Sequence, residues 1–356
     1  MAETAQTSKF SFETIFNPEI IADPYPLYRQ LRETNPVLEL PEANMVVLTR
    51  YQDVQTLLRD KRLGHDNFAG LSAEEREDRL SNPAIANLAR TMLLQNPPDH
   101  TRLRALVVKA FDARRVEAMR MRIRAIANEL IDEFLAQGEG DLKSLFTHPL
   151  PVIVICDMLG IPEADRAEFV KGTRISGRLI DPSPMTDAEL EDANRGSLES
   201  QAYFADLCDR RRKDPEDDLI TALVQSETED GKLSKDELTS NIGLLFAAGH
   251  ETTVNLMGNA LIALFRNPDQ LQLLRNDLSL MPNAVEEFLR YDSSVQLTGR
   301  HALEAADIAG VDLPKGRSVI ALLAAANRDP AAFEHPEQLD ITREKIKPLS
   351  FGGGIH

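Results

Sequence analysis

Residues 234–266 constrain this chain more than any other stretch, because they form a long helix that is costly in its middle. Ser234-Lys235-Asp236-Glu237 is a capping box, in which the Ser hydroxyl and the Glu carboxylate serve each other's backbone N–H. Asn267-Pro268 ends the helix. The roughly thirty residues between them exceed an ordinary globular helix. Ile242, Leu244, Leu245 and Phe246 lead into the centre, and Leu256, Met257, Leu261 and Ile262 lead out. The centre itself is Ala247-Ala248-Gly249-His250-Glu251-Thr252-Thr253. A helix-interior Gly costs about 1 kcal/mol and adjacent threonines a little more. A carboxylate in a helix with such apolar flanks is expected to be buried and to carry a desolvation cost. Three penalties in one place point to a function that offsets them.

The same residues suggest the chemistry. Gly249 lets a flat ligand approach the backbone. A Thr that bonds its own helix carbonyl opens the ladder and admits water, and an adjacent acid can relay protons. A kinked core helix with a solvent-facing His250-Glu251 pair accounts for the same pattern. A zinc reading fails: His250-Glu251 begins H-E-x-x-H, but position 254 is Val.

The rest of the chain is helix-rich. Helical spacing runs over 25–33, 51–59, 100–111, 114–136, 151–159, 163–177, 186–212, 219–225 and 283–291. Val37–Leu40 and Met45–Thr49 around Pro41-Glu42-Ala43-Asn44 predict a hairpin. Short strands follow Arg300, at Ile308–Leu313 and Ser318–Leu323, and residues 324–351 read as loop. Residues 63–94 read as a long irregular segment with at most a short helix, a type that often carries function. No linker or repeat divides the chain, so the expectation is one mainly α domain over residues 1–356.

Composition sets limits on partners. The 356 residues carry a formal net charge of −17, which repels nucleic acid and anionic membranes at range. Two cysteines, Cys156 and Cys208, give no disulfide framework and suit a reducing cytoplasm. No secretory signal or membrane-spanning run is read.

Three further stretches carry chemistry. Glu287-Phe288-Leu289-Arg290 places a carboxylate and a guanidinium on one helical face, an arrangement also common on solvated helices. In Asn96-Pro97-Pro98-Asp99-His100-Thr101-Arg102-Leu103-Arg104, His100 and Arg104 share a face and suit a carboxylate; a surface pair reads equally well. Leu349-Ser350-Phe351-Gly352-Gly353-Gly354-Ile355-His356 has the glycines of a tight ligand loop, or of a flexible tail.

Taken in order, these stretches resemble the motifs of bacterial soluble cytochromes P450, haem-thiolate monooxygenases. Residues 248–253 are similar to the family's oxygen-activation motif, 287–290 to its E-x-x-R, 96–104 to its propionate-gripping helix, and 351–356 to the start of its haem loop, F-G-x-G-x-H-x-C. Asn96 departs from the Asp of many relatives, and the expected axial Cys lies beyond His356, so no metal ligand is read in this chain. The resemblance implies a single domain of about a dozen helices with small β-sheets, lacking its C-terminal part.

It also implies function. Haem b would be held by His100, Arg104, Ala248, Gly249, Arg300, Phe351 and His356. Thr252 would position dioxygen and a water, and Glu251 would bring protons. Glu287 and Arg290 would be a structural pair, tied to the following loop through Arg328. Leu94, Leu244, Leu245, Val295 and Leu297 would line a pocket for a lipophilic small molecule, with residues 63–94 and 172–184 nearby. Electrons would come from an acidic iron–sulfur ferredoxin docking on Arg102, Lys109, Arg114 and Arg115 of a monomer. The alternatives are a catalytically incompetent fragment that binds haem weakly or not at all because the thiolate is missing, and a structural helical protein with accidental motifs.

Overall fold

The computed structural model describes residues 10–11, 14, 17–66, 68, 71–111, 113–172, 179, 185–230 and 233–355. Among them are fifteen α-helices and two small sheets, the mainly α fold expected. The chain divides into two compact units, one from Met1–Ala69 and Asn259–His356, the other from Gly70–Gly258.

The second unit is helical. Asp99–Ala110, Ala113–Gln137, Pro149–Leu159, Asp187–Lys213 and Leu219–Asp230 surround the first two-thirds of the long helix, Lys235–Arg266. Its core is aliphatic, with Ile155, Leu159, Phe204, Leu207, Leu223, Ile242 and Phe246 in one buried cluster. Both cysteines are buried in that cluster. Burial pushes the Cys156 thiol up to about 11, so it stays protonated at neutral pH. Residues 63–94 are more regular than expected. Ser72 forms a capping box with Glu75 that starts the helix Ala73–Ser81, and Pro83 at the first position starts Pro83–Ala89. The polar composition of Ala73–Ser81 left no apolar period to detect.

The first unit carries the sheets. The predicted hairpin is present: β1 (Val37–Leu40) pairs with β2 (Met45–Leu48) across a turn in which Asn44 takes the left-handed conformation, φ 48°. β3 (Leu63–Gly64), β4 (Thr298–Ala302) and β7 (Ser318–Ala321) complete a sheet of order β1-β2-β7-β4-β3, with β2 and β7 parallel. β5 (Ala306–Ile308) and β6 (Val311–Leu313) form a separate hairpin. Helix Tyr51–Arg59 packs Val54, Leu57 and Leu58 under the sheet. Helix Met281–Tyr291 buries Ala284, Glu287, Phe288, Leu289 and Arg290.

Candidate active site

The long helix begins as its sequence dictates: Glu237 N–H donates to Ser234 Oγ at 3.1 Å, and Ser234 N–H to Glu237 Oε2 at 2.8 Å. Glu237 has a second role the sequence did not disclose. Its Oε1 accepts from Arg102 Nη2 at 2.5 Å, and Arg102 also meets Asp99 at 3.0 Å.

At the helix centre the two faces separate. His250 is buried, its Nδ1 donating to Phe246 O at 2.9 Å and its ring centroid 5.1 Å from that of Phe246, tilted by 44°. Ala248 and Glu251 are exposed and Thr252 is half-buried. The expected buried carboxylate is therefore corrected: His250 takes the inward position, and Glu251 stays hydrated without a desolvation penalty. Thr252 Oγ1 donates to Ala248 O at 3.0 Å, the back-bond anticipated for a Thr in this position. Gly249 turns out to serve packing. A Cβ there would lie 2.9 Å from the Ile155 side chain, so the missing methyl lets helix Pro149–Leu159 approach.

His100 is buried at the start of helix Asp99–Ala110, while Arg104, one turn on, is exposed. Arg300, on β4, is only 5% exposed. Its Nη1 donates to Thr298 Oγ1 at 3.0 Å and Gly299 O at 2.8 Å, and no carboxylate among the described residues forms an ion pair with it. Burial lowers its pKa to about 10.

Glu287 and Arg290 are both 0% exposed and form a bidentate pair, with Nε–Oε2 at 2.7 Å and Nη2–Oε1 at 2.8 Å. Arg290 also donates to Asn327 O at 3.0 Å, Pro336 O at 2.8 Å and Gln338 O at 3.1 Å. Glu287 accepts from Asp340 N–H at 3.0 Å and from Arg343 Nε at 3.2 Å. The third member is thus Arg343, and the expected tie through Arg328 is corrected. Arg328 lies over the rings of Tyr25 at 3.5 Å and Tyr291 at 4.3 Å and donates to Tyr291 O. Sequence order could not choose between two arginines in one loop.

The glycine loop lies on helix Tyr51–Arg59. Gly352 and Gly354 have φ of 72° and 79°, which favour Gly. A Cβ on Gly354 would collide with Leu58 O. Phe351 at the loop's tip is 85% exposed, and His356 lies outside the described residues.

The candidate pocket residues do not form one described cluster. In the second unit Leu245 packs on the helical core, and Leu94 and Leu244 are half-buried. In the first, Val295 and Leu297 pack on two different clusters. Most of residues 172–184 lies outside the described residues. Among the proposed docking cations, Arg102 is engaged as above and Arg115 pairs with Asp217 at 3.1 Å. Among the described residues, no helix is long and apolar enough to cross a membrane.

Known proteins share both sequence and structure. Vitamin D(3) 25-hydroxylase of Pseudonocardia autotrophica is 41% identical over 346 residues, covering 96% of this chain and 83% of the relative. The structure of a myxobacterial cytochrome P450, CYP267B1, in complex with myristic acid superposes with a TM-score of 0.87 at 39% identity, covering 97% of this chain and 86% of that one. P450BioI in complex with an acyl carrier protein bearing hexadec-9Z-enoic acid also gives 0.87, at 34% identity and coverages of 95% and 86%. The family model for cytochrome P450 matches residues 27–344, which take in the back-bonded Thr252, the buried Glu287–Arg290 pair and Arg300 alike. The chain therefore belongs to the cytochrome P450 family, whose members use haem as cofactor.

Proposed function

We propose that this chain uses haem b to insert one oxygen atom of O2 into a lipophilic small molecule, the other atom leaving as water. The observation that carries the reading is the Thr252–Ala248 hydrogen bond beside an exposed Glu251 in the centre of the long helix.

The residues fit the cofactor's carboxylates. Arg300 is a buried cation balanced by no acid among the described residues, and a propionate would supply the missing charge. His100 and Arg104 would grip a propionate, and Ala248, Gly249, Phe351 and His356 would line the cofactor's faces and edge. Haem, when bound, supplies the oxygen activation. Thr252 Oγ1 commits its own proton to Ala248 O, which leaves its lone pairs to accept from a water. Glu251, being hydrated, takes protons from solvent and passes them inward.

Leu94, Leu244, Leu245, Val295 and Leu297 would contact the substrate. Relatives named for vitamin D(3) and crystallised with myristic acid favour a long or polycyclic apolar compound. Electrons would come from an acidic iron–sulfur ferredoxin meeting a monomer in the cytoplasm. With Arg102 and Arg115 already paired to acids, exposed Lys109 and Arg114 would carry most of that attraction. Reduction by such a donor is expected to slow steeply with added salt, and a salt-independent rate would remove the docking reading.

A second reading has its own observation. Cys156 and Cys208 are packed in the helical core, and the first is held as a thiol, so neither offers a thiolate to the glycine loop. On that reading the chain as given binds haem through its propionates and does not hydroxylate. The absorption spectrum of the reduced, carbon monoxide-bound protein decides. A thiolate-type Soret band supports the monooxygenase reading, and a histidine-type band, or weak or absent haem uptake, supports the second.

A further inference from the structure

We propose that Asn327 is a positioning residue that transmits the fixed geometry of the Glu287–Arg290 pair into the glycine loop. The inference rests on the reading of that loop as part of the haem site.

Asn327 is wholly buried and touches both partners. Its backbone carbonyl accepts from Arg290 Nη1 at 3.0 Å. Its side-chain Oδ1 accepts from Leu349 N–H at 2.7 Å, at the entrance of the loop. Its Nδ2 donates to Ser293 Oγ and Ser350 Oγ, each at 2.9 Å. The orientation of the Asn327 amide is determined, although Ser293 Oγ and Ser350 Oγ also lie 3.2 Å apart and either can donate to the other. A backbone N–H only donates, so Oδ1 must face Leu349. Each serine hydroxyl lies 2.6 Å from Leu289 O, an acceptor for its proton, so each can present lone pairs to the amide. Both amide protons and the carbonyl oxygen are used, with no alternative flip.

This network fixes a loop, and the loop's apolar tip is not part of the core. Phe351 follows directly and points to solvent. Beyond it, Gly354 rests against Leu58 O, and before it Tyr51 donates to Lys347 O at 2.9 Å. Entry and exit are therefore pinned while the tip is presented. A fully satisfied buried polar network specifies one arrangement where apolar packing would tolerate several. Asp, equal in size to Asn, has no donor for the two serines, which would have to give up their bonds to Leu289 O to donate to it.

The test uses the whole chain, comparing wild type with Asn327→Asp and the milder Ser350→Ala. Amide hydrogen exchange is followed at residues 350–354, with helix Met281–Tyr291 as internal reference, and haem is titrated with its induced circular dichroism recorded. The expected result is loop exchange faster by about tenfold in both variants, the scale of one lost buried hydrogen bond. The reference helix stays slow in Ser350→Ala, and haem binds more weakly with altered dichroism. Unchanged loop exchange overturns the proposal. So does equal acceleration of loop and reference helix in Ser350→Ala, which is what a merely structural residue would give. Faster loop exchange with unchanged haem affinity and dichroism would leave Asn327 as the loop's anchor and remove the loop from the haem site.

Discussion

Arg300 holds a charge where burial keeps water away, and among the described residues no acid pairs with it. Burial lowers its folded pKa to about 10, below the ordinary arginine range, so its charge opposes folding throughout the neutral range. The size is on the order of 3 kcal/mol. Arg300→Met should therefore raise the urea midpoint of the haem-free chain while weakening haem affinity at least tenfold. A lowered midpoint with unchanged affinity would show that the guanidinium is there for its bonds to Thr298 and Gly299. Glu287 and Arg290 behave oppositely, because each is buried with its partner. Glu287→Gln leaves Arg290 and Arg343 without their carboxylate and should cost about 3–5 kcal/mol, read from denaturant unfolding. Thr252→Ala removes one helix back-bond and improves helix propensity, so stability should stay within about 0.5 kcal/mol. In an enzyme with its thiolate ligand the same change should divert electrons from product to peroxide or water, and full coupling would end the proposed role.

At the scale of elements, the long helix shows how one residue can answer two demands. Gly249 costs the helix about 1 kcal/mol, yet a Cβ there would press on Ile155. Gly249→Ala should still destabilise, since overpacking costs about 1–3 kcal/mol. Ile155→Ala in the same chain should recover part of the loss, and a midpoint that rises in Gly249→Ala alone would show that the helices part easily. The element's start was legible because a capping box is a local code. Its polarity was carried only by the i, i+4 row Ile242, Phe246 and His250, all buried, which leaves the neighbouring Glu251 on another face. The partner of Arg102 was not legible either, because Glu237 stands 135 residues away.

Over the whole molecule, most helices, the first hairpin and the presence of short strands after Arg300 could be read from spacing and turn residues. The polar helices Ala73–Ser81 and Pro83–Ala89 could not, being set by caps and by amide contacts such as Asn194 Oδ1 accepting from Ala84 N–H at 3.0 Å. The motifs of the site were legible as residue types, whereas their partners belong to tertiary structure, as the choice of Arg343 over Arg328 shows. The pairing of β2 with β7 has a further consequence, for the order of events during synthesis. Tyr51 N–H donates to Asp329 Oδ2 across 278 residues of chain. At roughly 5–20 residues per second, strands 37–48 leave the ribosome on the order of a quarter to one minute before their partners exist. The contiguous 70–258 unit has all its own contacts by then. The N-terminal segment must wait as an unpaired, apolar edge, and its shielding until residue 321 emerges is the step at which a nascent chain of this design is most exposed to aggregation.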